Sequence, residues 1–395
     1  VVIITLDNHL SGAVARAQEH FARTYPGVTI GFHAAADWEE KPETLEAARA
    51  DIAQGNIILM TMLFLEDHIR AVLPQLTARQ ADCDAMIGLM SAGDIVKLTR
   101  MGDYRMDKPA KGLLSIIKKM RGTNKAGASS GKGQMAVLRR LPKLLKFVPG
   151  TAQDVRAYFL TMQYWLAASD DNVFDMIRAL VDRYADGERR GLRGTMKAVL
   201  PREYPEVGVY HPALPQRMAS TTTELPRRRG ARGTIGLLML RSYVLAKDAA
   251  HYDGVIAAME ARGLDVIPAF AGGLDGRPAI EALFMKDGVA MVDAVVNLTG
   301  FSLVGGPAYN DTAAAEAVLT ALDRPYIAAH PVEFQTLQAW GANRQGLLPL
   351  ESTMMIAIPE LDGGTVPMVF GGRSDGSGTP CTGCGRGCSF PAASQ

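Results

Sequence analysis

At 395 residues, with 48% apolar and 21% charged positions, the chain has the composition of a globular protein large enough for two or three domains. A formal net charge of +1 gives no overall steering toward nucleic acid or membrane. No apolar run reaches the ~18 residues that span a bilayer and no signal peptide is visible. Three of the four cysteines crowd into the last fifteen residues, which is no disulfide framework, so the expected compartment is the cytoplasm.

Residues 1–100 alternate apolar strands with amphipathic helices. Strands are expected at Val1–Leu6, Val28–Phe32, Ile57–Phe64 and Ala85–Leu89, with helices at Ala13–Thr24 and Glu43–Gln54. That alternation predicts a doubly wound parallel sheet. Asp7-Asn-His9 follows the first strand, where Asp7 or Asn8 suits a helix cap better than a ligand contact. No G-x-G-x-x-G follows a strand, so a dinucleotide site is unsupported.

Between Lys97 and Lys146, fourteen lysines and arginines stand against two aspartates. Residues 101–150 are expected to form a basic flexible linker carrying short helices at Gly112–Met120 and Gln134–Leu145. Gly127-Ala-Ser-Ser-Gly-Lys-Gly133 is not a phosphate loop, because its glycine spacing is one residue short and Lys132 precedes Gly133 instead of Ser or Thr. With only Tyr104 and Phe147 to stack on bases, nucleic acid is a poor partner. A solvated linker competes with a docking face for an acidic partner or an anionic membrane surface.

Thr151 opens a helix with the capping-box-like start Thr151-Ala-Gln-Asp154. Val155, Tyr158, Phe159, Met162, Trp165 and Leu166 then make one apolar stripe, in which Tyr164 and Trp165 suit a core better than a ligand face. With a second helix at Asn172–Ala185, residues 151–230 predict a small helical domain, ending in an extended linker over Pro201–Pro226.

Residues 231–372 predict a second α/β unit. Four apolar runs, Ile235–Leu240, Val266–Phe270, Ala294–Leu298 and Met354–Ile358, each empty into a glycine-rich loop. Unalternating strands suit a sheet covered on both faces, and the loops beyond their carboxyl ends form the ligand crevice. Helices are expected at 250–262, ending at Gly263, and at Asp311–Leu322. The fold class is thus α/β, two doubly wound parallel-sheet regions separated by a basic linker and a small helical domain.

The wording of these loops goes further. Arg241-Ser-Tyr, His251-Tyr, Glu260-Ala-Arg-Gly263, Pro268-Ala-Phe-Ala-Gly-Gly-Leu-Asp275, Leu298-Thr-Gly-Phe-Ser-Leu-Val-Gly-Gly-Pro-Ala308, Pro331-Val-Glu-Phe-Gln335 and Pro359-Glu-Leu-Asp-Gly363 occur in one order. Together with Thr5-Leu-Asp-Asn-His9 and Leu141-Pro-Lys-Leu-Leu-Lys146, that order resembles the large (H) subunits of magnesium chelatase. The large subunits of aerobic cobaltochelatase share the later motifs. The family's chains are much longer, so an amino-terminal portion is expected.

The resemblance implies a porphyrin-binding subunit. AAA+ ATPase partner subunits would hydrolyse ATP to drive Mg²⁺ into protoporphyrin IX, as (bacterio)chlorophyll synthesis requires. Contact with the periphery of the photosynthetic membrane would be compatible, and the basic segment could also meet porphyrin propionates. Alternatives are a cobaltochelatase subunit acting on a corrinoid, or a non-catalytic docking fragment. Metal insertion removes two pyrrole protons and strips a strongly hydrated cation, which calls for carboxylates beside a flat apolar slot. Glu360 is the candidate to accept a pyrrole proton or deliver the metal, with Asp362 in support; a simple turn competes at Leu361–Gly364. Asp275, Gly305, Gly306, His330 and Trp340 are candidate ligand contacts.

The tail, residues 373–395, is Gly- and Cys-rich. Cys381, Cys384 and Cys388 make a C-x₂-C-x₃-C clasp suited to an Fe–S cluster or Zn²⁺. No fourth ligand lies nearby, so an unmetallated tail is the equal alternative.

Overall fold

The computed structural model describes residues 1–6, 8–107, 140–167, 169–306 and 309–374. The chain divides between Glu203 and Tyr204 into two compact units, each built on its own sheet. The expected helix at 112–120, most of that at 134–145, and the three tail cysteines lie outside the described residues; 140–145 is helical as expected.

In the first unit β1 (Val2–Thr5), β2 (Gly31–Ala34), β3 (Ile57–Thr61) and β4 (Ala85–Leu89) run parallel in the order β2-β1-β3-β4. The antiparallel pair β5 (Arg100–Met101) and β6 (Tyr104–Arg105) extends the sheet beyond β4. Helices α1 (Ser11–Thr24), α2 (Pro42–Gln54) and α3 (Glu66–Arg79) connect the parallel strands. Val2 and Ile4 of β1 pack with Ile58 and Met60 of β3 against Ile52 of α2 and Val72 of α3. The expected side-chain cap of α1 is absent: Leu10 takes the cap position, and the Asn8 amide donates instead to Asp37 at 3.0 Å.

The expected helices appear as α4 (Thr151–Leu166) and α5 (Asp170–Tyr184), but they do not stand apart from the first sheet. The Tyr158 hydroxyl donates to the Gly88 carbonyl on β4 at 3.0 Å, α5 packs on α1, and Arg16 pairs with Asp170 at 2.7 Å. An amphipathic helix pair needs somewhere to bury its stripe, and a sheet needs cover on both faces. Tyr164 and Trp165 are buried, as a core stripe requires. The capping box is not formed: Gly150 is the cap residue, with no side-chain cap bond. Asp154 is buried instead, accepting from Arg183 Nη2 at 2.7 Å, the Tyr184 hydroxyl at 3.0 Å and Asp103 N–H at 3.2 Å. Asp154→Ala strands these donors, so a loss of about 2–3 kcal/mol is expected in urea unfolding, with Asp154→Asn losing less.

The second unit carries a seven-stranded sheet. Its strands are β7 (Val207–Tyr210), β8 (Met218–Ala219), β9 (Thr234–Leu240), β10 (Asp265–Ala271), β11 (Ala294–Asn297), β12 (Tyr326–Thr336) and β13 (Thr365–Arg373). Their order is β13-β12-β11-β9-β10-β7-β8, parallel from β13 to β10, with β7 and β8 antiparallel at the edge. Two expectations fail here. The stretch Pro201–Pro226 is not all linker, since its β-prone Val-Gly-Val-Tyr run forms β7. Nor is Met354–Ile358 a strand: Ser352–Ala357 is a π-helical turn continuing into the helical turn Ile358–Leu361. A short apolar run does not distinguish strand from helix, and here Glu351, Met354, Met355, Pro359 and Asp362 are buried at helical spacing.

Both faces of this sheet are covered, which explains the unbroken apolar strands. Helix α6 (Ala250–Ala261) places Tyr252 and Ile256 on Leu237, Met239 and Phe270. On the other face α7 (Thr312–Leu322), capped by Asp311, places Val318 and Leu322 with Phe284 against Leu238, Ile267 and Val295.

Candidate functional site

The chain leaves β9 toward β10 on one side, then returns to β11 on the other. The carboxyl ends of β9 and β11 therefore diverge, which is where parallel sheets bind ligands. A cavity of about 330 Å³ opens there. Its floor is Leu238–Leu240 at the end of β9, and its walls are the loop Gly273–Gly276 after β10 and the loop Thr299–Leu303 after β11.

Each wall is tied by polar groups. Asn297 ends β11 and is buried; its amide donates to the Phe301 carbonyl at 3.0 Å and to the Tyr326 hydroxyl at 2.8 Å. Its Oδ1 accepts from Thr299 N–H at 3.0 Å and from the Thr299 hydroxyl at 2.8 Å. Asp275 accepts from Arg277 in a 2.8 Å ion pair and bridges to Val304. The buried Arg241, first residue after β9, pairs with Glu206 at 3.2 Å and donates to the Pro205 carbonyl at 3.0 Å. Gly272 is required beside them, because a Cβ there would lie 2.1 Å from a Glu206 carboxylate oxygen.

The sequence candidates separate. Asp275 lines the cavity, and Gly305 and Gly306 pair with Tyr309–Asn310 at its rim. Asp362 does not line it but lies behind its wall, only 3% exposed, accepting from the Ser302 hydroxyl at 2.5 Å and Leu303 N–H at 2.9 Å. Burial raises its pKa, against the hydrogen bonds from Ser302 and Leu303. Glu360 is exposed on the preceding helical turn, not on a loop after a strand as expected. His330, on β12, and Trp340, on the short helix Leu337–Ala342, do not line the cavity. Among the described residues no cluster of three or more His, Cys, Asp or Glu could hold a metal ion, and no helix is long and apolar enough to cross a membrane.

Sequence reasoning missed Asn297, Ser302, Arg241 and Glu351. A polar residue closing an apolar strand, such as Asn297, was the available signal. Nothing local marks Glu351, whose fully buried carboxylate accepts from Gln335 Nε2 at 2.6 Å and Phe334 N–H at 3.1 Å.

Two buried histidines give this unit an acid limit. Neither ring nitrogen of His330 and not Nε2 of His251 has a hydrogen-bond partner, and burial lowers their pKa values to about 4 and about 3. Both stay neutral in the fold, while the unfolded chain takes up protons below about 6.5. Stability is therefore full above that pH and falls as pH drops toward 4, by up to about 1.4 kcal/mol per pH unit for each histidine. Urea unfolding between pH 7 and 5 checks this, and His330→Gln should flatten the slope.

A parallel sheet with a loop-walled cavity at its switch point defines a ligand-binding α/β unit. Comparison with known proteins narrows the class: the family described as CobN/Magnesium Chelatase matches residues 162–385, and a domain of unknown function matches 1–159. The chain belongs to the CobN/magnesium chelatase family. It is 55% identical over 392 residues to the large (H) subunit of magnesium chelatase from Cereibacter sphaeroides, covering 99% of this chain and 32% of that protein. To the chloroplastic magnesium-chelatase protein ChlH of Oryza sativa subsp. japonica it is 33% identical over 351 residues, covering 85% of this chain and 25% of that one. Among solved structures, the catalytic subunit of cobaltochelatase from Mycobacterium tuberculosis matches with a TM-score of 0.44 and 18% identity, over 94% of this chain and 25% of that one. The chain thus spans about a third of the length of the curated relatives it matches most strongly.

Proposed function

We propose that this chain is part of the porphyrin-binding subunit of a magnesium chelatase, which inserts Mg²⁺, its substrate metal, into protoporphyrin IX. The observation that carries this reading is that two motifs of the family resemblance, Pro268–Asp275 and Leu298–Ala308, supply the loops that wall the cavity. Its Leu, Met and Phe lining suits the edge of a flat macrocycle, and its volume of about 330 Å³ lies at the small end of ligand pockets. Arg277, aimed by Asp275, would meet a porphyrin carboxylate. Glu360 would take a pyrrole proton, leaving the nitrogen lone pair for the metal. ATP would be hydrolysed on AAA+ partner subunits. The complex would work in the cytoplasm, with peripheral contact to the photosynthetic membrane. A cluster or Zn²⁺ on Cys381, Cys384 and Cys388 would be an accessory.

The test is an absorbance and fluorescence-quenching titration of the full-length subunit with soluble deuteroporphyrin, with a corrinoid as control. Saturable binding of the porphyrin alone is expected. Preference for the corrinoid would favour a cobaltochelatase, and binding of neither would leave a docking role.

A further inference from the structure

Two loops meet at the cavity. Gly276 N–H donates to the Leu303 carbonyl at 2.8 Å and Gly305 N–H to the Leu274 carbonyl at 2.7 Å, with the Asp275–Val304 bridge between them. Gly306 permits this approach, since a Cβ there would sit 2.3 Å from Leu274 Cδ1. The second loop is also gripped by Asp362, whose Oδ2 accepts from both the Ser302 hydroxyl and Leu303 N–H. The Ser302 oxygen in turn accepts from Val304 N–H at 3.3 Å, so one carboxylate oxygen organises three consecutive residues of the wall.

A carboxylate is a poor choice if stability is all that matters here. Its second oxygen, Oδ1, is buried and has no hydrogen-bond partner among the described residues. Burying a charge with one oxygen unsatisfied costs free energy that a neutral acceptor would spare. What the charge supplies is stiffness, because hydrogen bonds to an ionised acceptor are shorter and about twice as strong as neutral ones.

We infer that Asp362 is a positioning residue for the tetrapyrrole: through Ser302 and Leu303 it stiffens the Thr299–Val304 wall, so ligand affinity depends on a carboxylate that does not touch the ligand. This rests on the porphyrin reading of the cavity. The wall is then preorganised before binding, and the ligand loses less affinity to ordering it.

The experiment compares wild type, Asp362→Asn, Asp362→Ala and Ser302→Ala in the full-length subunit, by hydrogen exchange without ligand and by deuteroporphyrin titration. Exchange at Leu303 and Gly305 should quicken in the order wild type, Asn, Ala. Deuteroporphyrin affinity should fall a few-fold in Asp362→Asn and about tenfold in Asp362→Ala. In the assembled chelatase the KM for porphyrin should rise while the KM for Mg²⁺ and kcat at saturating porphyrin hold, a split that general destabilisation would not give. Should Asp362→Ala fail to fold, Ser302→Ala carries the test by removing one of the two bonds. Unchanged exchange, or faster exchange with unchanged affinity, would overturn the inference while leaving the porphyrin reading intact. A wild type that binds no porphyrin would overturn both.

Discussion

Replacing Glu360 by alanine in the full-length subunit should lower the rate of Mg²⁺ insertion by roughly 10²–10⁴-fold, the usual range for loss of a proton-transfer group. Deuteroporphyrin affinity and melting temperature should stay at wild-type values. The structure makes this a clean test, because Glu360 is exposed and none of the described residues holds its side chain. Its neighbour behaves differently: Asp362 is buried and holds two groups of the cavity wall, so its replacement should disturb binding. The two carboxylates, only two positions apart, should therefore separate into a kcat effect and a KM effect. Equal chelation rates for wild type and Glu360→Ala would remove Glu360 from the chemistry.

The second large effect belongs to the core of the second unit. Phe284 is fully buried, and its ring lies against the backbone of β9 at Gly236, where a Cβ would come within 2.7 Å of it. Phe284→Ala should cost about 3–5 kcal/mol by deleting a ring from the packed face. Gly236→Ala should cost about 1–3 kcal/mol by forcing that ring away. The two share one space, so the double variant should be more stable than the sum of the single losses requires, by roughly 1 kcal/mol or more. Strict additivity in urea unfolding would mean that the ring and the strand do not constrain each other.

Much of the architecture was legible along the chain because strands covered on both faces must be apolar throughout. Ile235–Leu240, Val266–Phe270 and Ala294–Leu298 lie within or one residue beyond β9, β10 and β11 for that reason. The same signal misled at Met354–Ile358. A buried helical turn is also an apolar run, and its periodicity appears only over a longer window that includes Glu351 and Asp362. β7 was hidden by the prolines around it, although its antiparallel pairing with β10 requires Gly208, where a Cβ would lie 2.7 Å from the Phe270 ring.

By itself the sequence determined the α/β class, the positions of the glycine-rich loops and, through their collinear motifs, the family. All of these depend on residues close together along the chain. Only the tertiary structure decided which loops meet. Asp275 reaches Val304, and Asp362 reaches Ser302 across sixty positions, because a parallel sheet gathers its carboxyl ends on one edge whatever their separation in sequence. It also set Glu360 in solvent and Asp362 in the interior, since a helical turn points residues two apart in different directions while loop spacing implies no direction at all.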